Sequence, residues 1–190
     1  TSIGEEAFES CNSLTTVIMQ PTTPPTLGND VFENCDELAN IYVPAGTTET
    51  YKTTGNWATY KDIIQTGGTC GTNVYWSYNS TSNTLTIFGT GDMTNDFEGN
   101  NWENYLNDIT TVNISNGVTS IGDYAFSFCT GLTSIEIPAS VKTIGNYAFQ
   151  GCWGLTSIEI PASVTSIGYA AFITCIYLTS INIPASVTTI

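Results

Sequence analysis

The chain reads as a repeat solenoid, mainly β with short helical or 3-10 turns, on three observations. The stretch Val118–Ser140, VTSIGDYAFSFCTGLTSIEIPAS, recurs as Val141–Ser163 and Val164–Ser186, so the period is 141 − 118 = 23 residues, and a fourth copy begins at Val187. Apolar type is kept in step between copies: Ile121, Ile144, Ile167 and Ile190, then Phe126, Phe149 and Phe172, then Cys129, Cys152 and Cys175. Each copy ends on Leu-Thr-Ser-Ile-x-Ile-Pro, or Leu-Thr-Ser-Ile-Asn-Ile-Pro in the third. A fixed period of this size marks coils that stack on one another, because a single coil cannot bury its own apolar faces.

Within a coil, Val-Thr-Ser-Ile predicts a first short strand closed by Gly122, Gly145 or Gly168, where a positive φ would cost least. Asp123 or Asn146 follows, placed to accept a backbone N–H at the start of a helical turn that carries Tyr-Ala-Phe, a pattern that Tyr169 breaks. The alternation Ile135, Glu136, Ile137 predicts a second strand with its isoleucines inward and its glutamate in solvent. Pro138, Pro161 and Pro184 end that strand, since proline has no N–H for a ladder. The inward set of the first regular coil is Val118, Ile121, Ala125, Phe126, Cys129, Leu132, Ile135 and Ile137.

The combination Ser-Ile-Gly-x-x-Ala-Phe-x-x-Cys followed by Leu-x-x-Ile-x-Ile-Pro resembles the BspA-like class of leucine-rich repeat, over residues 118–190. The resemblance implies a leucine-rich solenoid in a secreted or cell-surface protein. It also implies roles in adhesion and in binding host or matrix proteins.

Read in order, residues 1–20 hold a degenerate coil (Ile3-Gly4, Ala7-Phe8, Cys11, Leu14), and a second follows through Val31-Phe32, Cys35, Leu38 and Val43-Pro44. The proline-rich stretch Gln20–Pro25 between them cannot extend a ladder and should bulge at an edge or turn. From Thr48 to Lys61 a short amphipathic helix is predicted, interrupted at Gly55, with Tyr51, Trp57, Tyr60 and Ile63 covering the last coil. This stretch resembles the helical C-terminal cap of such arrays. Thr66-Gly67-Gly68-Thr69 predicts a flexible linker. Asn73–Tyr78 and Thr84–Phe88 predict a hairpin around the polar loop Asn79–Asn83. With Gly89-Thr90-Gly91-Asp92-Met93 behind it, the hairpin resembles the β-hairpin N-terminal cap of a second array. Trp102 and Tyr105 are expected in a turn, and Ile109–Ile114 as the strand that leads into the regular repeat. The expected organisation is therefore the end of one array at 1–65, the N-terminal cap of a second at 66–117, and regular repeats at 118–190. Because Thr1 and Ile190 both fall inside the motif, the sequence reads as a fragment, and the alternative to an interaction module is a structural repeat unit of a long surface fibre or stalk.

Three Lys and Arg against seventeen Asp and Glu leave 3 − 17 = −14, and histidine is absent. Nucleic acid is a poor partner for so few cations, and an anionic membrane surface is excluded on the same ground. No run approaches the roughly 18 apolar residues of a membrane span. Without histidine there is no Ser-His-Asp or Cys-His arrangement, so an enzyme is not expected, nor a cofactor. Of six cysteines, five (Cys11, Cys35, Cys129, Cys152 and Cys175) share one repeat position, with Cys70 apart. Coils about 4.8 Å apart would bring neighbouring thiols within disulfide reach, but side chains parallel in a core suit a ladder of small buried thiols better.

The candidate binding face is the outward row Thr133 and Glu136, Thr156 and Glu159, Thr179 and Asn182, with Ile18 and Tyr42 at the position of Glu136 on the shorter array. Such a row suits an extracellular protein or glycan partner, and self-association into a fibre is the alternative. Glu136 and Glu159 also form a carboxylate pair of the kind glycosidases use, but Asn182 replaces the third member and a flat strand face is expected to offer no cleft. Asp92, Asp96 and Glu98 form an oxygen-rich loop weighed for calcium, without the EF-hand spacing.

Overall fold

The structure, a computed structural model, describes residues 1–95 and 102–190. The chain divides into two compact units, Thr1–Gly68 and Thr69–Ile190. Both are stacks of repeat coils, and the fold is a β-solenoid with few, short helices.

In the first unit β1 (Ser2–Ile3) pairs in parallel with β3 (Thr26–Leu27), Ile3 opposite Leu27. The second strands β2 (Thr16–Ile18), β4 (Asn40–Val43) and β5 (Ile64–Thr69) form another parallel ladder in that order. The Thr66–Thr69 linker is thereby corrected. Thr66 lies opposite Val43, and its hydroxyl meets that of Thr48 at 2.7 Å, so ladder hydrogen bonds outweigh the poor strand propensity of two glycines. The helix α1 (Thr48–Thr53) and a 3-10 turn (Gly55–Tyr60) follow β4. Tyr51 and Trp57 are fully buried in the core, edge to face with centroids 5.2 Å apart. Their polar tips reach the proline-rich bulge, the Tyr51 hydroxyl donating to the Pro21 carbonyl at 2.7 Å and the Trp57 indole N–H to that of Pro25 at 2.8 Å. Proline lacks a donor but keeps its acceptor, and these two aromatics use it.

The second unit opens with the antiparallel hairpin of β6 (Val74–Asn79) and β7 (Thr84–Gly89). Asn79 Oδ1 accepts the N–H groups of Thr81 and Ser82, which folds the loop tightly. β7 then pairs in parallel with β9 (Thr111–Ile114), and β9 with β11 (Ser134–Glu136). The first strands, β8 (Gly91–Asp92), β10 (Val118–Ile121), β12 (Thr143–Ile144) and β14 (Ser166–Ile167), make a second parallel ladder. β13 (Ser157–Glu159) and β15 (Ser180–Asn182) form a separate two-stranded sheet. Between the ladders runs an aromatic spine, Trp102, Phe126, Phe149 and Phe172, with successive centroids 5.9, 5.5 and 5.2 Å apart. Trp102 is buried in a turn ahead of the 3-10 segment Glu103–Tyr105 and donates its indole N–H to Ala125.

The turn that carries Tyr-Ala-Phe is not helical. The N–H groups of Ala125, Ser127 and Cys129 fold back onto the carbonyls of Gly122, Tyr124 and Phe126, whereas those of Tyr124, Phe126 and Phe128 donate to Asn146, Ala148 and Gln150 of the next coil. A helix would direct every N–H along its own axis. Here every second one serves the neighbouring coil, so the backbone alternates. Positive φ falls on the second and sixth residues after each repeat glycine: Tyr124 and Phe128, Tyr147 and Gly151, Ala170 and Thr174.

The repeat glycines are not at positive φ. A Cβ on Gly145 would lie 2.5 Å from the Asp123 nitrogen and 2.6 Å from the Gly122 carbonyl carbon, and one on Gly168 would lie 2.5 Å from the Asn146 nitrogen. Glycine is needed there because the backbone of the preceding coil comes too close for a side chain. The Asx residues also act between coils. Asp123 Oδ1 accepts the N–H of Asn146 at 2.6 Å, and Asn146 Oδ1 that of Tyr169 at 2.8 Å, replacing the expected cap within one coil.

The five repeat cysteines, Cys11, Cys35, Cys129, Cys152 and Cys175, are free thiols. Cys35, Cys152 and Cys175 each direct Sγ at the carbonyl of a phenylalanine one coil back (Phe8, Phe126 and Phe149), at 3.1 Å in every case. Burial of the ladder is not uniform: Cys129 and Cys152 are enclosed, whereas Cys11 is exposed and Cys175 half-buried because they lie in outer coils. Desolvation pushes the Cys129 thiol from 9.0 up to about 12 and raises that of Cys152 as well, with Cys129 and Cys175 adding to the effect.

Candidate binding face

The second strands present their alternate residues outward. Thr133, Glu136, Thr156, Glu159, Thr179 and Asn182 are all exposed, and strand register puts Glu136 beside Asn113 and Glu159 beside Asn182. The threonines are partly occupied by the fold. Thr133 and Thr179 donate their hydroxyls to the carbonyls of Thr110 and Thr156, both at 3.1 Å. They brace the stack, which leaves Glu136, Glu159 and Asn182 as the freer groups of the row.

On the first unit the equivalent row does not belong to an exposed face. Ile18 lies opposite Tyr42, and Tyr42 opposite Gln65, so Tyr42 sits in a central strand with neighbours on both sides. Tyr42 is 8% exposed and Ile18 half-buried. The repeat register placed them at the position of Glu136 but carried no information on their burial.

The expectation of a flat strand face is also corrected. A cleft of about 280 Å³ opens where β11 and β13 belong to different sheets, lined by Ile135, Glu136, Ile137, Glu159 and Pro161. Among the described residues the one ion pair is Lys52 with Glu49, at 3.6 Å in the first unit, so neither Glu136 nor Glu159 has a cationic partner there. On the first-strand side lies a groove that sequence reasoning missed, about 380 Å³, lined by the rows Asp92, Ser120, Thr143, Ser166 and Asn95, Asp123, Asn146. Its signal was available: Ser120, Thr143 and Ser166 share one outward repeat position, and Asp123 and Asn146 another.

Of the calcium candidates, Asp96 and Glu98 lie outside the described residues. Asp92 accepts the Thr119 hydroxyl at 2.6 Å, and no group of three His, Cys, Asp or Glu among the described residues is arranged for a metal ion. No helix among them is long and apolar enough to cross a membrane.

The sequence pattern of the family described as BspA type leucine rich repeat region matches six copies in this chain, over residues 1–64 and 99–190. No curated protein matches the sequence significantly. Among solved structures, a leucine rich cell surface protein from Faecalibacterium prausnitzii A2-165 superposes with a TM-score of 0.50 at 23% identity, covering 99% of this chain and 46% of that one. A leucine-rich repeat protein from Bacteroides ovatus ATCC 8483 gives 0.49 at 24% identity over 100% of this chain and 54% of that one. One from Eubacterium ventriosum ATCC 27560 gives 0.49 at 25% over 63% and 38%. The chain thus spans between 38% and 54% of the length of these three proteins. The 23-residue register, the phenylalanine and cysteine ladders and the matched repeats agree, and the chain belongs to the BspA-type leucine-rich repeat family.

Proposed function

We propose that this chain is a secreted or cell-surface interaction module, without chemistry of its own, that binds an extracellular protein partner along the second-strand face of its regular repeats. The observation that carries this reading is the exposed row Glu136, Glu159 and Asn182, with Glu136 on the edge strand of one ladder, Glu159 beside Asn182 on the next, and neither carboxylate in an ion pair among the described residues. A rigid scaffold needs little ordering on binding, and a row of one sign steers a partner of the opposite sign. The similar Faecalibacterium prausnitzii protein is a cell surface protein, which supports the same location here. The test is attachment of the chain to a panel of immobilised extracellular matrix proteins at low and high salt, beside the double variant Glu136→Lys, Glu159→Lys. Attachment that weakens with salt and disappears in the folded variant is expected. Attachment that is unchanged in the variant would move the binding surface off this face, and attachment to no protein in the panel would overturn the reading.

A further inference from the structure

The two halves of the cleft between β11 and β13 come from identical sequence. Leu132–Pro138 and Leu155–Pro161 both read Leu-Thr-Ser-Ile-Glu-Ile-Pro. Yet β11 ends one parallel ladder and β13 begins another. On either side of the gap the stack is tight: the Thr133 N–H donates to Thr110 at 2.9 Å and the Thr179 N–H to Thr156 at 3.0 Å. The opening is therefore confined to one step of the repeat, the step at which two glutamates follow one another in the same outward position.

From this geometry we infer that the cleft seats one lysine or arginine side chain of a basic protein partner. The inference rests on the interaction-module reading above and names the chemistry of its contact. The lining divides into two kinds. Ile137 is buried and Ile135 and Pro161 are half-buried, giving aliphatic walls, whereas Glu136 and Glu159 are exposed carboxylates. Lysine and arginine match that division, with an apolar stem and a cationic head that stays at the wet end. Size agrees. At about 280 Å³ the cleft lies just below the range of about 300–1,000 Å³ typical of small-molecule sites, yet well above the roughly 150 Å³ that holds a benzene ring. A bare calcium ion fits less well, because it takes six to eight oxygens and this lining offers two carboxylates between hydrocarbon walls. An anion would meet two like charges.

The test titrates the whole chain, with isoleucine methyls labelled for NMR, against two probes: the peptide acetyl-Gly-Arg-Gly-amide and its norleucine counterpart, which keeps a stem and lacks the charge. The arginine peptide should shift the Ile135 and Ile137 methyls, and the norleucine peptide should not. The variant Glu136→Gln, Glu159→Gln keeps the side-chain volumes and should weaken the arginine peptide by about tenfold or more, with the Ile121 and Ile144 methyls in place to certify the fold. Equal response to both peptides, an unaltered response in the variant, or shifts spread evenly over the acidic surface would each overturn the inference. The two readings fail separately. Attachment to matrix proteins that the glutamine variant leaves intact rejects this cleft and keeps the module, while peptide binding without attachment keeps the cleft and rejects the module.

Discussion

Replacing Gly145 with alanine gives opposite signs under two accounts of that glycine. If its role were only conformational freedom at an ordinary φ, alanine would stabilise the protein by about 0.4–1 kcal/mol by restricting the unfolded chain. The structure predicts the reverse. The new Cβ would stand 2.5 Å from the Asp123 nitrogen and 2.6 Å from both Asp123 Oδ1 and the Gly122 carbonyl carbon. Two of those atoms are backbone in a stacked coil and cannot swing away. Relief requires the coils to part, which stretches the Gly145 N–H bond to Ile121 (2.9 Å) and the Asn146 N–H bond to Asp123 (2.6 Å). Overpacking of this kind costs about 1–3 kcal/mol, and the entropic gain of about 0.4–1 kcal/mol offsets part of it, leaving a net loss of about 1 kcal/mol. With a urea slope of about 2 kcal/mol/M, the midpoint should fall by about 0.5 M. The assay is urea unfolding followed by tryptophan emission, with the slope checked for constancy. Gly4→Ala is the control, because nothing lies within 4 Å of its Cβ position. It should be neutral or slightly stabilising. If Gly145→Ala behaves like Gly4→Ala, close approach is not the reason for the repeat glycine.

Alkylation with iodoacetamide at pH 8 should modify Cys11 quickly and leave Cys129 and Cys152 intact in the folded protein, because burial raises both of those thiols and removes their thiolate. Peptide mass spectrometry over time reads it, and early modification of Cys152 would contradict the ladder. The same shift makes stability depend on pH: the contribution of Cys129 is whole below 9.0, where even the unfolded thiol is protonated, and declines as pH rises toward about 12. Thermal unfolding between pH 8 and 11 should show the decline softened in Cys129→Ala. Tyr51→Phe removes only the hydroxyl that donates to Pro21 and should lower first-unit stability by about 1 kcal/mol; no change in its unfolding midpoint would mean that the bulge is held some other way. Asp123→Asn should be nearly neutral, since Asn146 does the same work one coil on, whereas Asp123→Ala orphans the Asn146 N–H and should cost about 1–2 kcal/mol in a urea melt. Equal midpoints for those two variants would remove the inter-coil Asx ladder as a source of stability.

What the sequence determined by itself was everything that depends on period. A repeat of 23 residues puts Ile121, Ile144 and Ile167 in one column and Phe126, Phe149 and Phe172 in another, and stacking follows because each column is apolar in every copy. The hairpin and the burial of Tyr51, Trp57 and Trp102 were legible too, from strand alternation and from large aromatics in segments otherwise too polar to pack. What only tertiary structure decided was what passes between coils. Whether Gly145 answers to φ or to a neighbour's backbone, whether Asp123 caps its own turn or the next, and where Cys152 directs its sulfur are questions about atoms 22 to 26 residues away. A one-dimensional pattern specifies which residues recur but not how closely the recurring backbones approach. The same limit explains Tyr42, at the repeat position of Glu136 yet buried in the central strand of its ladder, and Thr66-Gly67-Gly68-Thr69, whose composition favours a linker but whose backbone belongs to β5. It explains the cleft as well. Two identical segments, equivalent in every local preference, belong to different ladders, and that difference is set by their neighbours in space.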